Sequence, residues 1–488
     1  MRARVLVAAA LVLLLAPACT SGESSKRAFR PAVAVAECPA DVEVLQTAPH
    51  SCGYLTVPED RTRPNGPTIR LFYLRVQPAG GTPEPEPIAA VGEELAQSPS
   101  YDTGIAESSN RELILLDQRG TGHSKPSLAC PEVDAVAGDL VAGPLSSDAV
   151  RTAFGAAVAA CRARLTAAGV HPEAYTLAAA AEDLEELRRA LGVPVWNLIS
   201  WGSASRLLLE YARRHPQPIR ALVLGSPQFP QRDPISEAAG DLNDAFQALT
   251  QTCRAAKECA RQYPDLPRTL SQAVAALERS PVSAVVRGNK VVVDGAALLR
   301  ALRNLVSSHD PEQLGQVPQI VDRALHGNVR AVASELAADP GMCIGYLPRC
   351  DEPPSLGAYL SLTCPDAPTA PKVPDTYAAA FGEADPYLEA CRAWRVDAAG
   401  DPPAPVTTDV RSLVLRGQYD AFSPLDLLRQ VNTAMPRAQV VLVPRFGHDV
   451  FGVDCLRDAR NRWLLHPQND PHYSDCLQTI PTPTFATR

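Results

Sequence analysis

The chain has 488 residues, of which 46% are apolar and 20% charged, with a formal net charge of −8. That length can bury a large core, either as one domain with an insertion or as two ordinary domains. An acidic balance without a basic block argues against nucleic acid as a partner.

The first residues read as an export signal. "MRAR" is a short basic region, "VLVAAALVLLLA" is an apolar run too short for a comfortable membrane span, and "APAC" ends at Cys19 before polar "TSGESSKR". Residues 1–19 therefore resemble a lipoprotein signal, with Cys19 as the lipidated residue and a lipid anchor as the only membrane attachment. An ordinary secretory signal is the alternative, and either one exports the chain. Thirteen cysteines less Cys19 leave an even set, as expected for disulfides in an oxidising compartment. Pairing sequence neighbours gives Cys38 with Cys52, Cys130 with Cys161, Cys253 with Cys259, Cys343 with Cys350, Cys364 with Cys391 and Cys455 with Cys476. Spacing alone does not exclude other connectivities. No CxxC occurs and the cysteines are not interleaved with histidines at ligand spacing, so neither a metal site nor a cofactor is expected.

Residues 20–36 look like a solvated tether. From Cys38 onward "CGYLTVPED" and "TIRLFYLRVQP" are strand-like runs separated by the turn "RTRPNGP". "IAAV" and "ELILLDQRG" are short apolar runs that end in turn residues, as buried parallel strands do. "TLAAAAEDLEELRRALGV" has helical periodicity with Thr176 as N-cap. "VWNLIS", "SRLLLEYARRH" and "IRALVLGSP" continue as strand, helix and strand. This alternation predicts a doubly wound α/β architecture, a mostly parallel sheet with helices on both faces. After Pro227 the pattern becomes helical and Ala-rich, which reads as an inserted cap. "VRSLVLRGQYDAFSP" and "AQVVLVPRFGHDVF" then restore two strands, and "TIPTPTFATR" reads as a loose tail. The expected divisions are a first core part at 37–226, a cap at 227–405 and a final core part at 406–488.

Taken in order, "CGYLTVPED", "LILLDQRGTGHSKP", "WNLISWGSASRLLLEYARRHP", "LRGQYDAFSP" and "VPRFGHDVF" resemble secreted actinobacterial α/β-hydrolases of the tripeptidyl aminopeptidase and proline iminopeptidase type. The last part resembles the tripeptidyl-aminopeptidase-like C-terminal domain. The resemblance implies a serine nucleophile on a tight strand-to-helix turn, flanked two residues away by small side chains, with an acid and a histidine following in that order. Here Gly202 occupies the nucleophile position, with Ser200 and Ala204 at the flanking ones. Glycine tolerates the positive φ of such a turn without strain, so the elbow can form without its reactive group. Ser203, one residue on, is the rival nucleophile. Its use would move Trp201 into a position that wants a small residue. Asp420 and His448 match the family's acid and base.

The family's Gly-rich oxyanion loop corresponds to "IAAVGEELAQSP", where Gly92 remains but Glu93 and Glu94 follow. Carboxylates beside a developing oxyanion oppose acyl chemistry. In "DQRGTGHS", Arg119 reads as a partner in a buried ion pair, with His123 at the surface; Arg213 and Arg214 suit a helix C-terminus.

The sequence therefore points to a pseudohydrolase, a binding or scaffold protein that holds a peptide or other small ligand between core and cap, with a protein partner also possible. The acidic loop with Asp420 hints at a cationic ligand group such as a free amino terminus. The alternative is a working exopeptidase or esterase using Ser203 with His448 and Asp420.

Overall fold

The computed structural model describes residues 29–42, 48–80, 82–91, 104–338, 355–364, 373–382, 385–396, 404–423, 425–469 and 472–486. Strands β1 (Ala32–Ala36), β2 (His50–Pro58), β3 (Thr68–Val76), β4 (Glu84–Ala90), β5 (Arg111–Leu116), β6 (Trp196–Trp201) and β7 (Ile219–Gly225) precede the cap. The cap carries β8 (Val282–Val286) and β9 (Asn289–Val293), and β10 (Ser412–Gly417) and β11 (Ala438–Val443) follow it.

Nine of these strands form one sheet in the order β1-β2-β3-β5-β4-β6-β7-β10-β11. Pairing is antiparallel from β1 through β5 and parallel from β5 through β11. The parallel part reads as short apolar runs because both faces are buried. Ile88, Leu113, Leu115, Val223, Leu413 and Leu415 pack into one apolar cluster, while Ala89, Ile114, Leu116, Leu222, Leu224 and Val414 pack into the other. Alternate residues of a strand point to opposite faces, so a run without polar interruption is what two covered faces demand. The chain steps from β4 to β5 on one side and then to β6 on the other. This reversal opens a crevice at the C-terminal ends of the strands, where open α/β sheets hold their ligands.

Several local signals work as read. Thr176 caps Leu177–Ala190 by accepting from the Ala179 N–H at 3.1 Å. Four cap helices start on aspartates, with Asp265, Asp294, Asp310 and Asp385 each accepting from a backbone N–H of the first turn. Five disulfides join the expected neighbours: Cys38–Cys52, Cys130–Cys161, Cys253–Cys259, Cys364–Cys391 and Cys455–Cys476. Cys343 and Cys350 lie outside the described residues, as does Cys19. Such a disulfide set is that of an oxidising compartment.

Other expectations need correction. The tether at 20–36 is too long, because Ala32–Ala36 pairs with β2 from Ala32↔Thr56 to Ala36↔Cys52. Five alternating Ala and Val residues carry little local signal, and the Cys38–Cys52 disulfide beside the pairing holds the strand in place. The tail is not loose either. The Ala486 N–H donates to the Gly315 carbonyl at 3.0 Å, and Tyr263 donates to the Ala486 carbonyl at 3.2 Å. The end packs against the cap helix Pro311–Leu325, where a Cβ on Gly315 would lie 2.0 Å from the Thr484 carbonyl oxygen. The cap also contains a hairpin, β8 against β9, among its helices. His123 is half-buried rather than superficial, its ring edge-on to Phe72 at 5.0 Å.

Among the described residues no helix is long and apolar enough to cross a membrane.

Candidate active site

The elbow forms where β6 ends. Trp201 is extended (φ −140°, ψ 169°), and Gly202 turns the chain at φ 58°. A short 3-10 turn, Gly202–Ala204, leads into the helix Ser205–Arg214. A side chain at that φ is disfavoured, and glycine removes the penalty. Close packing surrounds the turn. A Cβ on Gly225, the β7 residue paired with Trp201, would lie 2.8 Å from the Phe451 ring and 3.1 Å from the Trp201 Cβ. Trp201 is packed edge-on against Phe451 at 5.6 Å, so its side chain is part of the turn's support. Ser200 is buried on the sheet, its hydroxyl 3.3 Å from that of Ser205. Ser203 is also buried, at the head of the helix. The apex itself, Gly202, has no side chain with which to attack a ligand.

The acid and the base do meet. His448 Nδ1 lies 2.8 Å from Asp420 Oδ1, and both residues are buried. The same carboxylate oxygen accepts from the N–H groups of Phe422 at 2.8 Å and Ser423 at 3.2 Å. Burial alone would push the Asp420 carboxyl up, but the His448 ring, the Arg416 charge and the Phe422 N–H outweigh it and hold the carboxyl below its ordinary value. An ionised carboxylate can only accept, so Nδ1 carries the hydrogen, and proton exchange with a ligand falls to Nε2. Asp420 therefore spends its charge on His448 and its own turn.

The two turns touch backbone to backbone. A Cβ on Gly417, the last residue of β10, would lie 1.7 Å from the Gly447 carbonyl oxygen. The loop after β7 links this pair to the elbow. Ser226, itself at φ 46°, donates its hydroxyl to the His448 carbonyl, and the Gln228 N–H donates to the Gly202 carbonyl at 3.3 Å.

Residues that sequence reasoning missed come from the cap. Helix Gly295–Val306 ends directly on the acid and base turns. The His448 N–H donates to the Ser307 carbonyl at 2.8 Å, and the Ala421 N–H donates to the Ser307 hydroxyl at 2.9 Å. Arg303 Nε donates to the Ala421 carbonyl at 3.0 Å, and its guanidinium lies 4.2 Å over the Phe422 ring. Phe422 in turn packs edge-on to His448 at 5.3 Å. A Cβ on Gly447 would fall 1.9 Å from the Ser307 oxygen, so only glycine lets the cap approach this closely. The cleft beside these residues is walled by Gln228, Arg232, Asp233, Pro234, Glu237, Asp241, Arg303 and Phe422. Burial pushes Arg303 down to about 10 and Asp241 up to about 6. One signal was available: Arg300 and Arg303 interrupt the apolar stripe of "GAALLRALRNLV" on one helical face.

Gly92, Glu93 and Glu94 lie outside the described residues. Arg119 takes the structural role expected of it. Its Nε and Nη2 grip Asp183 at 2.7 Å each, and its Nη1 reaches the carbonyls of Glu59 and Ala174. Burial alone would raise the Asp183 carboxyl, but Arg119 and Arg61 together hold it below its ordinary value. Arg213 and Arg214 both pair with Glu210 at the end of their helix.

The chain is similar in sequence and in fold to known proteins. Over 240 residues, 46% of the chain, it is 28% identical to tripeptidyl aminopeptidases of Streptomyces coelicolor and Streptomyces lividans. The match spans 43% and 44% of those two relatives, less than half of their length. Similar solved structures include proline iminopeptidase of Mycobacterium smegmatis, 13% identical with a TM-score of 0.36, covering 85% of this chain and 98% of that one. An alpha/beta hydrolase fold protein from Chitinophaga pinensis is 13% identical with a TM-score of 0.38, covering 86% and 98%. Residues 95–454 match the family described as alpha/beta hydrolase fold, and the chain belongs to that family.

Proposed function

We propose that this protein is a pseudohydrolase that binds a ligand between core and cap instead of cleaving it. The observation that carries the reading is Gly202 at the apex of an otherwise well-formed elbow, with φ 58° and no side chain. In serine hydrolases with comparable triads, loss of the nucleophile lowers turnover on the order of a million-fold. The Asp420–His448 pair is retained, but without a hydroxyl at the apex it has no nucleophile to deprotonate. Its role becomes structural, as the seat on which Ser307 and Arg303 land. A peptide is the favoured ligand class, because the curated relatives are named tripeptidyl aminopeptidases. Export, with Cys19 as a lipid anchor at the cell surface, fits the disulfide set and completes the proposal.

A fluorophosphonate probe tests it. The purified, disulfide-bonded chain is expected to resist labelling. Gly202→Ser is expected to restore labelling that depends on His448. Labelling of the unmodified chain that vanishes in both Ser203→Ala and His448→Ala would mean a displaced nucleophile and a live hydrolase.

A further inference from the structure

The cleft walled by Arg232, Asp241, Arg303 and Phe422 has a volume of about 10 Å³, room for about one water. A larger ligand can enter it only if the cap lifts from the core. Cap and core meet on the histidine turn, where the His448 N–H donates to the Ser307 carbonyl and the Ala421 N–H to the Ser307 hydroxyl. A second connection runs beside this joint, and the C-terminal segment makes it.

The segment starts on the core. The disulfide Cys455–Cys476 ties the helix Ser474–Thr479 to the helix Asp454–Leu465. Arg445, on the turn that carries His448, then holds the carbonyls at the end of the shorter helix. Its Nε and Nη2 donate to the Ile480 carbonyl at 3.1 and 2.8 Å, and Nη2 also reaches the Leu477 carbonyl at 3.2 Å. Ile480 is buried in the apolar cluster that contains Phe446 and Trp463.

The far end is seated on the cap. Pro483 is buried, and Phe485 packs against the other apolar cluster. The Ala486 N–H donates to the Gly315 carbonyl at 3.0 Å, and buried Tyr263 donates to the Ala486 carbonyl at 3.2 Å. Gly315 sits in the first turns of the helix Pro311–Leu325, shortly after Ser307. A glycine inside a helix weakens it. The approach of Thr484 accounts for this one, because its carbonyl oxygen occupies the space a Cβ would need. The segment therefore spans from the His448 turn to the helix after Ser307 and braces the joint those two residues make. Its core end is covalently fixed, whereas its cap end is held by hydrogen bonds and packing, so the cap end is the one that can let go. Resting on the binding function proposed above, we infer that residues 480–486 are a strap that keeps the cap seated on the histidine turn, and that their release from Gly315 opens the cleft to a ligand.

Hydrogen exchange of the full disulfide-bonded chain tests this, read at the His448 and Ala421 amides that report the joint. Buried Leu415 in β10 and Leu302 in the cap helix Gly295–Val306 are the references for core and cap folding. Gly315→Ala should displace Thr484 while favouring its own helix, so any loosening comes from the strap and not from a weaker helix. Exchange at His448 and Ala421 should rise at least about tenfold in this variant, with the references unchanged. A chain ending at Ile480 should show a rise at least as large, and Tyr263→Phe, which removes one hydrogen bond to the strap, a smaller one. Unchanged exchange at the two reporter amides in either Gly315→Ala or the shortened chain would overturn the inference. Equal acceleration at Leu302 or Leu415, or a shortened chain that fails to fold, would also overturn it, by making the segment part of the general packing. The measurement involves no ligand, so a failed strap leaves the pseudohydrolase reading standing, while fluorophosphonate labelling of the unmodified chain defeats that reading alone.

Discussion

The two sides of the site are built differently. On one side the acid and base turns are joined to each other, to the cap and to the β7 loop through Gly417, Gly447, Ser307 and Ser226. On the other, the elbow keeps its backbone but presents a bare glycine. On the proposed reading, the difference teaches that a catalytic pair can serve as a fastening. Asp420 and His448 connect strands β10 and β11 to a cap helix, and that service does not require a nucleophile. The elbow's backbone likewise persists because it closes the sheet against its helix.

Three substitutions would break or sharpen this contrast. Gly447→Ala should have the largest effect, since its methyl group would meet the Ser307 carbonyl at 1.9 Å and two backbones would have to part. We expect a loss of about 3 kcal/mol in denaturant unfolding. Asp420→Asn should cost about 2 kcal/mol, the range for hydrogen bonds to a charged group. It also carries a pH signature. The Asp420 carboxyl is held below its ordinary value in the fold, so its stabilisation is complete above the unfolded carboxyl's range and is lost as pH falls through the folded one. Wild-type stability should therefore fall more steeply than that of Asp420→Asn below about pH 4. Gly202→Ala should be mildest, about 1 kcal/mol for a side chain at φ 58°. A Gly202→Ala cost above that of Gly447→Ala would invert the comparison.

Much of this was legible in the chain itself. Short apolar runs without polar interruption gave the central parallel strands, because each had to satisfy two faces at once. Thr176 announced a helix start through its hydroxyl, and the five described disulfides follow sequence neighbours. Asp420, His448 and Gly202 were found through the family resemblance, each just past the end of a strand. Polar residues there have only the crevice or the next turn to occupy.

What the sequence by itself determined was thus local: the order of strands and helices, the glycine at the elbow and the residues offered at each strand end. Only the tertiary structure decided which distant groups met them. Arg303 and Ala421 are 118 residues apart, and Ser307 and Ala421 are 114 apart, separations over which no periodicity carries information. The same holds for Arg119, whose partner Asp183 sits on a helix 64 residues away. Whether a carboxylate arrives to neutralise it depends on how the layers close, because charge pairing acts through space and is blind to order along the chain.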